Sequence, residues 1–217
     1  MNRFRSFLTH ALSAAALGAA AVVATGCAQT PLLDSVTRNS GPRADLRRYD
    51  ADWFDAARLG RVDILRGLVS ARYPIDATTR EGYTAAILAA YRHQPAALDY
   101  LLNAGANPCL GDQHGNTALM GAIFKGDTAI SERLMNTRCP IDETNNAGET
   151  ALSFAALFGR LDLLPELVAR GANPDHTDAL GRTALQTAIL QGNESVVAAL
   201  EKVGAARNVD QSLRSRP

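Results

Sequence analysis

One interval of 33 residues runs through most of this chain and limits what it can fold into. Gly82, Gly115, Gly148 and Gly181 keep that spacing, and two places later stand Thr84, Thr117, Thr150 and Thr183, each followed by Ala. Ala56, Ala89, Ala122, Ala155 and Ala188 hold the same interval, as do Leu68, Leu101, Leu134, Leu167 and Leu200. Gly60, Gly126, Gly159 and Gly192 mark a second turn, with His93 once in that slot. So many registers with one period point to a stack of equivalent supersecondary units.

Each unit has a physical reading. In Gly148-Glu149-Thr150-Ala151-Leu152 the glycine suits a positive-φ turn and the threonine can cap the helix that follows. Leu152, Ala155 and Ala156 then share one face, and Gly159 ends the short helix. Leu161, Leu164, Leu167 and Val168 form the buried stripe of a second helix, which Gly171 stops. A helix pair this short cannot bury its apolar face alone, so stacking must supply the core.

These motifs resemble the ankyrin repeat: Gly115-Asn116-Thr117-Ala118-Leu119, Gly148-Glu149-Thr150-Ala151-Leu152 and Gly181-Arg182-Thr183-Ala184-Leu185, with Gly105-Ala106 and Gly171-Ala172 closing helices. The resemblance implies an all-α solenoid of about five stacked helix-turn-helix units with hairpin-like loops. It covers residues 50–208, in units near 50–78, 79–111, 112–144, 145–177 and 178–208. Two departures stand out. Ala replaces the family's Pro after Thr, and its usual His becomes Ile87, Met120, Ser153 or Gln186. The first unit, around Trp53 and Phe54, lacks the Gly-x-Thr turn and reads as an N-terminal cap.

Ahead of the repeats, Arg3 and Arg5 precede an acid-free stretch of small and apolar residues from Phe7 to Ala24. Ala and Gly are weakly hydrophobic, so an export signal is a better reading than a spanning helix. Ala24-Thr25-Gly26-Cys27 resembles a bacterial lipoprotein signal, which implies cleavage after residue 26 and lipidation (palmitate among the acyl chains) of Cys27. Ala28 after it implies the outer membrane. The other reading is a plain secretory peptide cut near Ala24 or Ala28, giving a soluble periplasmic protein. Residues 27–49 read as a flexible tether and 209–217 as a tail.

Composition narrows the function. The 217 residues carry 22 basic and 22 acidic side chains and are 47% hydrophobic, so a core is available and no basic face advertises nucleic acid. The sequence holds no Gly-rich phosphate loop, nucleophile elbow or His-Glu-x-x-His, and no paired carboxylates at catalytic spacing. Asp112, His114, Asp142 and His176 could meet across loops as a metal site, but their different places in the repeat frame favour solvated hairpin residues. The expectation is a monomer that is not an enzyme and needs no cofactor or metal.

With Cys27 lipidated, Cys109 and Cys139 remain as an even pair in an oxidising compartment. Cys139 takes the slot of Ala106 and Ala172, and Cys109 lies three residues past that slot in the preceding unit. A disulfide across one repeat junction and two separate thiols are both open, the former slightly favoured.

In the family, partners contact hairpin tips and the outward residues of the first helix, which line a concave face. Transferred by the frame, the tips include Arg80, Tyr83, His114, Asn116, Glu149 and Arg182. The helix slots include Tyr91, Arg92, Phe124, Lys125, Leu157, Phe158, Leu190 and Gln191. Tyr91, Phe124, Leu157 and Leu190 recur in register and should form one ridge over four units, with packing onto their own hairpins as the blander reading. An apolar ridge flanked by Arg92 and Lys125 suits a protein-binding hot spot. The expected function is therefore a non-catalytic interaction module, lipid-anchored at the periplasmic face of the outer membrane, binding another protein. The alternatives are an immunity protein that neutralises a periplasm-acting toxin and, less favoured, an envelope enzyme with a loop metal site.

Overall fold

The computed structural model describes residues 46–207; the expected signal peptide, its lipidation site Cys27 and the C-terminal tail lie outside these residues. A 3-10 turn over Leu46–Tyr49 leads into ten α-helices arranged as five pairs. The pairs are α1 (Asp50–Leu59) with α2 (Val62–Ser70), α3 (Ala85–Tyr91) with α4 (Pro95–Asn103), and α5 (Ala118–Lys125) with α6 (Thr128–Met135). They continue with α7 (Ala151–Leu157) and α8 (Leu163–Ala169), then α9 (Ala184–Leu190) and α10 (Glu194–Lys202). This is the all-α repeat solenoid that the period implies. Among the described residues the only extended pairings are single bridges at the hairpin bases, such as Gly111 with Thr117.

The threonines start the first helix of units two to five. The side chains of Thr84, Thr117, Thr150 and Thr183 accept the N–H of Ile87, Met120, Ser153 and Gln186, at 3.1–3.4 Å. Where the family's His is replaced by a polar residue, the cap becomes reciprocal. Ser153 and Gln186 each accept the backbone N–H of their capping threonine, closing a capping box. The alanines of the repeat frame, Ala56, Ala89, Ala122, Ala155 and Ala188, are 0–3% exposed. Their small size lets α1, α3, α5, α7 and α9 pack against one another in order.

The first unit is built differently. Trp53 is fully buried 4.8 Å from the Tyr73 ring, and the Tyr73 hydroxyl donates to Asp50 at 2.7 Å. Burial, and then the Asp50 carboxylate, hold that phenol well above its ordinary pKa. Leu46 and Tyr49, the last part of the segment expected to be tether, pack onto this core.

Neighbouring units are joined on the loop side by a repeated clasp. An aspartate carboxylate accepts a backbone N–H 31 residues later: Asp76 from Asn107 (2.9 Å), Asp142 from Asn173 (3.0 Å) and Asp175 from Ala206 (2.7 Å). The same frame places Cys109 in the aspartate slot and Pro140 in the donor slot. Proline has no N–H to give. At that junction Cys109 is joined to Cys139 instead, with Cα atoms 5.3 Å apart. A covalent link stands where the hydrogen bond cannot form.

Candidate functional site

Three of the four hairpins are organised by an Asp or Asn side chain at the base. Asp112 Oδ1 accepts the N–H groups of His114 and Asn116, Asn145 those of Ala147 and Glu149, and Asp178 those of Leu180 and Arg182. These are Asx turns. Burial raises the Asp178 pKa, yet the Arg182 and Leu180 bonds outweigh it and hold the carboxyl below its usual range. Tips also bond to the next tip through the backbone: Gln113 N–H to Glu81 O at 3.0 Å, Asn146 to His114 at 2.8 Å and Ala179 to Ala147 at 2.9 Å. The loop side is therefore a continuous hydrogen-bonded edge.

Between that edge and the first helices of units two to four lies a cleft of about 510 Å³, within the range of ligand pockets. Tyr91 and Phe124 stack nearly parallel with ring centroids 5.8 Å apart. Phe158 meets Phe124 edge-on at 4.8 Å, and Phe154, one helical turn before Phe158, lies 5.6 Å from it. Ile87 and Met120 form the buried floor, and Tyr83, Asp112, His114 and Asn116 face them from the tips. Lys125 Nζ sits 5.1 Å over the Tyr91 ring. Arg160 donates from Nε to the Ile123 carbonyl and from Nη2 to that of Phe124, at 3.1 and 3.0 Å, so the end of α5 that carries Phe124 is held in place by the next unit.

A family model described as ankyrin repeats (three copies) matches residues 53–139 and again residues 120–211. The chain belongs to the ankyrin-repeat family. Among curated proteins, none matches this sequence. Ankyrin repeats generally bind other proteins, and the cleft lies where a stack of them presents its loops and first helices together.

The residues that the ankyrin frame points to divide between the cleft and the surface beyond it. Tyr83, Tyr91, Arg92, His114, Asn116, Phe124 and Phe158 come together at the cleft. Leu157 does not continue the Tyr91–Phe124 stack: it lines a separate pocket of about 40 Å³ with Glu149, Arg182 and Gln191. Leu190, 76% exposed, lines neither. The aromatic row instead turns through Phe158 to Phe154, because residues four apart share a helix face whatever the repeat period. Phe154 was missed for that reason. Arg80 stands at the edge, where its carbonyl accepts from the Gln113 side chain.

Of the four loop residues considered as metal ligands, His114 lines the cleft and the other three are engaged separately. Asp112 closes its own turn, Asp142 accepts from Asn173, and His176 Nε2 donates to the Gly148 carbonyl at 3.0 Å. Among the described residues no group of three or more His, Cys, Asp or Glu is placed to hold a metal.

Gly121 is the residue that opens the cleft. In the 33-residue frame its slot holds Leu88, Gly121, Phe154 and Thr187 in successive ankyrin units. A glycine inside a helix costs roughly 0.5–1 kcal/mol relative to alanine. A Cβ there would meet only Tyr91 Cδ2, at an ordinary 3.7 Å. Packing does not require this glycine, and the space above it belongs to the cleft.

Proposed function

We propose that this ankyrin-repeat protein is a non-catalytic binding module, anchored by lipid on Cys27 to the periplasmic face of the outer membrane, which holds a partner protein against its concave face. The observation that carries the binding face is the cleft: Tyr91 and Phe124, 37% and 39% exposed, stand as a stacked aromatic pair beside the hydrogen-bonded tip edge. Partly exposed aromatic residues set in a preformed concavity make strong anchors for a partner, because little ordering is needed on association. A membrane anchor would add to this by confining encounters to a surface. The lipobox-like sequence before Cys27 supports the anchor, and the Cys109–Cys139 bridge agrees with an oxidising compartment.

Crosslinking followed by pull-down from envelope membranes tests the face. An abundant partner captured by the wild type should be lost with Tyr91→Ala/Phe124→Ala, while the melting temperature stays within a few degrees. Retained capture, or a large fall in stability, would show that the aromatic pair is internal packing. The anchor is tested separately by Cys27→Ser, which should move the protein from the membrane fraction to the soluble periplasmic fraction. Continued membrane partitioning of that variant would overturn the lipoprotein assignment.

A further inference from the structure

We propose that the cleft over Gly121 receives one large apolar side chain, preferably aromatic, from a partner segment that carries a carboxylate beside it. This rests on the concave face being the binding surface and adds the chemistry of what enters it. The apolar preference comes from the walls. Tyr91 and Phe124 present parallel rings, Phe158 offers an edge, and Met120 and Ile87 close the floor. An inserted ring can stack or sit edge-on against every wall. Leu88 and Phe154 occupy the frame position of Gly121 in the flanking units, so the glycine leaves out a side chain in the middle of the cleft that both of them line.

The acidic neighbour comes from the charges left open around the cleft. On the tip side the carboxylates keep their charge: Asp112 takes two neutral backbone N–H groups, and Glu81 is held below its ordinary pKa by its own backbone N–H and by the Thr79 hydroxyl. Arg58 is paired with Asp55 at 2.7 Å. On the helix side, neither Arg92 nor Lys125 meets a carboxylate among the described residues. The helix side is therefore cationic while the tip side is anionic, so a carboxylate on the partner is attracted where it faces Arg92 and Lys125. A cation held among the aromatic rings would be the opposite choice, and Arg92 and Lys125 oppose it.

The test pans a library of displayed random twelve-residue peptides on the immobilised protein and titrates the recovered peptides by fluorescence anisotropy. Enriched peptides should share Phe, Trp or Leu with Asp or Glu within two positions. Gly121→Leu places a branched side chain in the cleft, where its Cβ meets only Tyr91 Cδ2 at 3.7 Å. It should weaken those peptides at least tenfold at an unchanged or higher melting temperature. Arg92→Glu/Lys125→Glu should weaken them several-fold, more at low salt than at high. A basic or purely polar consensus, or no enrichment, overturns the proposal. If Gly121→Leu binds like the wild type while Tyr91→Ala/Phe124→Ala does not, the concave face stands and the occupied pocket is wrong. If neither variant changes binding, the concave-face reading falls as well.

Discussion

Reduction of the Cys109–Cys139 bridge should lower the melting temperature of the purified protein by roughly 10 °C. The bridge closes a loop with a sequence separation of 30 residues. In the chain-entropy model a loop of that size contributes roughly 3–4 kcal/mol, and a domain of this length loses about 2–4 °C per kcal/mol. The position of the bridge makes a sharper test available. Three junctions carry an aspartate-to-amide clasp, and the fourth has Cys109 for Asp and Pro140 for the donor. Restoring Asp alone, as Cys109→Asp, should recover nothing, since Pro140 has no N–H. Cys109→Asp/Cys139→Ala/Pro140→Asn copies the residues found at 76, 106 and 107 and again at 142, 172 and 173. This triple variant should ignore reductant and stand about 1.5–3 kcal/mol above Cys109→Asp in urea denaturation, the worth of a hydrogen bond to a charged group. Equal stability of the two would show that the amide clasp contributes nothing and that the bridge is a free-standing constraint.

The junction so stapled separates the unit that carries Tyr91 from the one that carries Phe124. Relaxing it should therefore be felt in the aromatic stack, whose two rings come from the two sides. That coupling follows from the stack's construction, in which each unit contacts only its neighbours.

Much of this architecture was legible before any coordinates. The 33-residue period fixes the stack, and Thr84, Thr117, Thr150 and Thr183 announce their caps because Thr before an alanine-rich helix has a clear local role. Side-chain detail was less visible. Phe154 escaped attention because it breaks the repeat frame and acts through its i,i+4 neighbour Phe158, a helical spacing that the longer period obscures. Gly121 escaped because an absence is a weak signal; only the side chains of Leu88 and Phe154 around it show what is missing. The clasp slot was there to be read in Asp76, Cys109, Asp142 and Asp175. Its meaning needed the partner amides, which lie 31 residues away and outside any local motif.

Gly148→Ala should destabilise the protein by about 2–4 kcal/mol, and Gly171→Ala by only about 1–2 kcal/mol. Both glycines have positive φ, +74° and +94°, so both variants carry the left-handed backbone penalty of an L side chain. They differ in what lies beside them. A Cβ on Gly171 would meet nothing within 4 Å, whereas one on Gly148 would come 2.6 Å from the Ala179 nitrogen. That nitrogen donates to the Ala147 carbonyl and so ties one tip to the next. The methyl group cannot be housed without parting the tips, and the difference between the two variants in urea denaturation measures how firmly they are held. A large difference means that the tip edge is stiff, which is the property a preformed cleft requires of its wall. Equal costs would mean that the edge yields to one methyl group; the Tyr83 and His114 side of the cleft would then have to be ordered by the partner, and part of the binding free energy would be spent on that ordering.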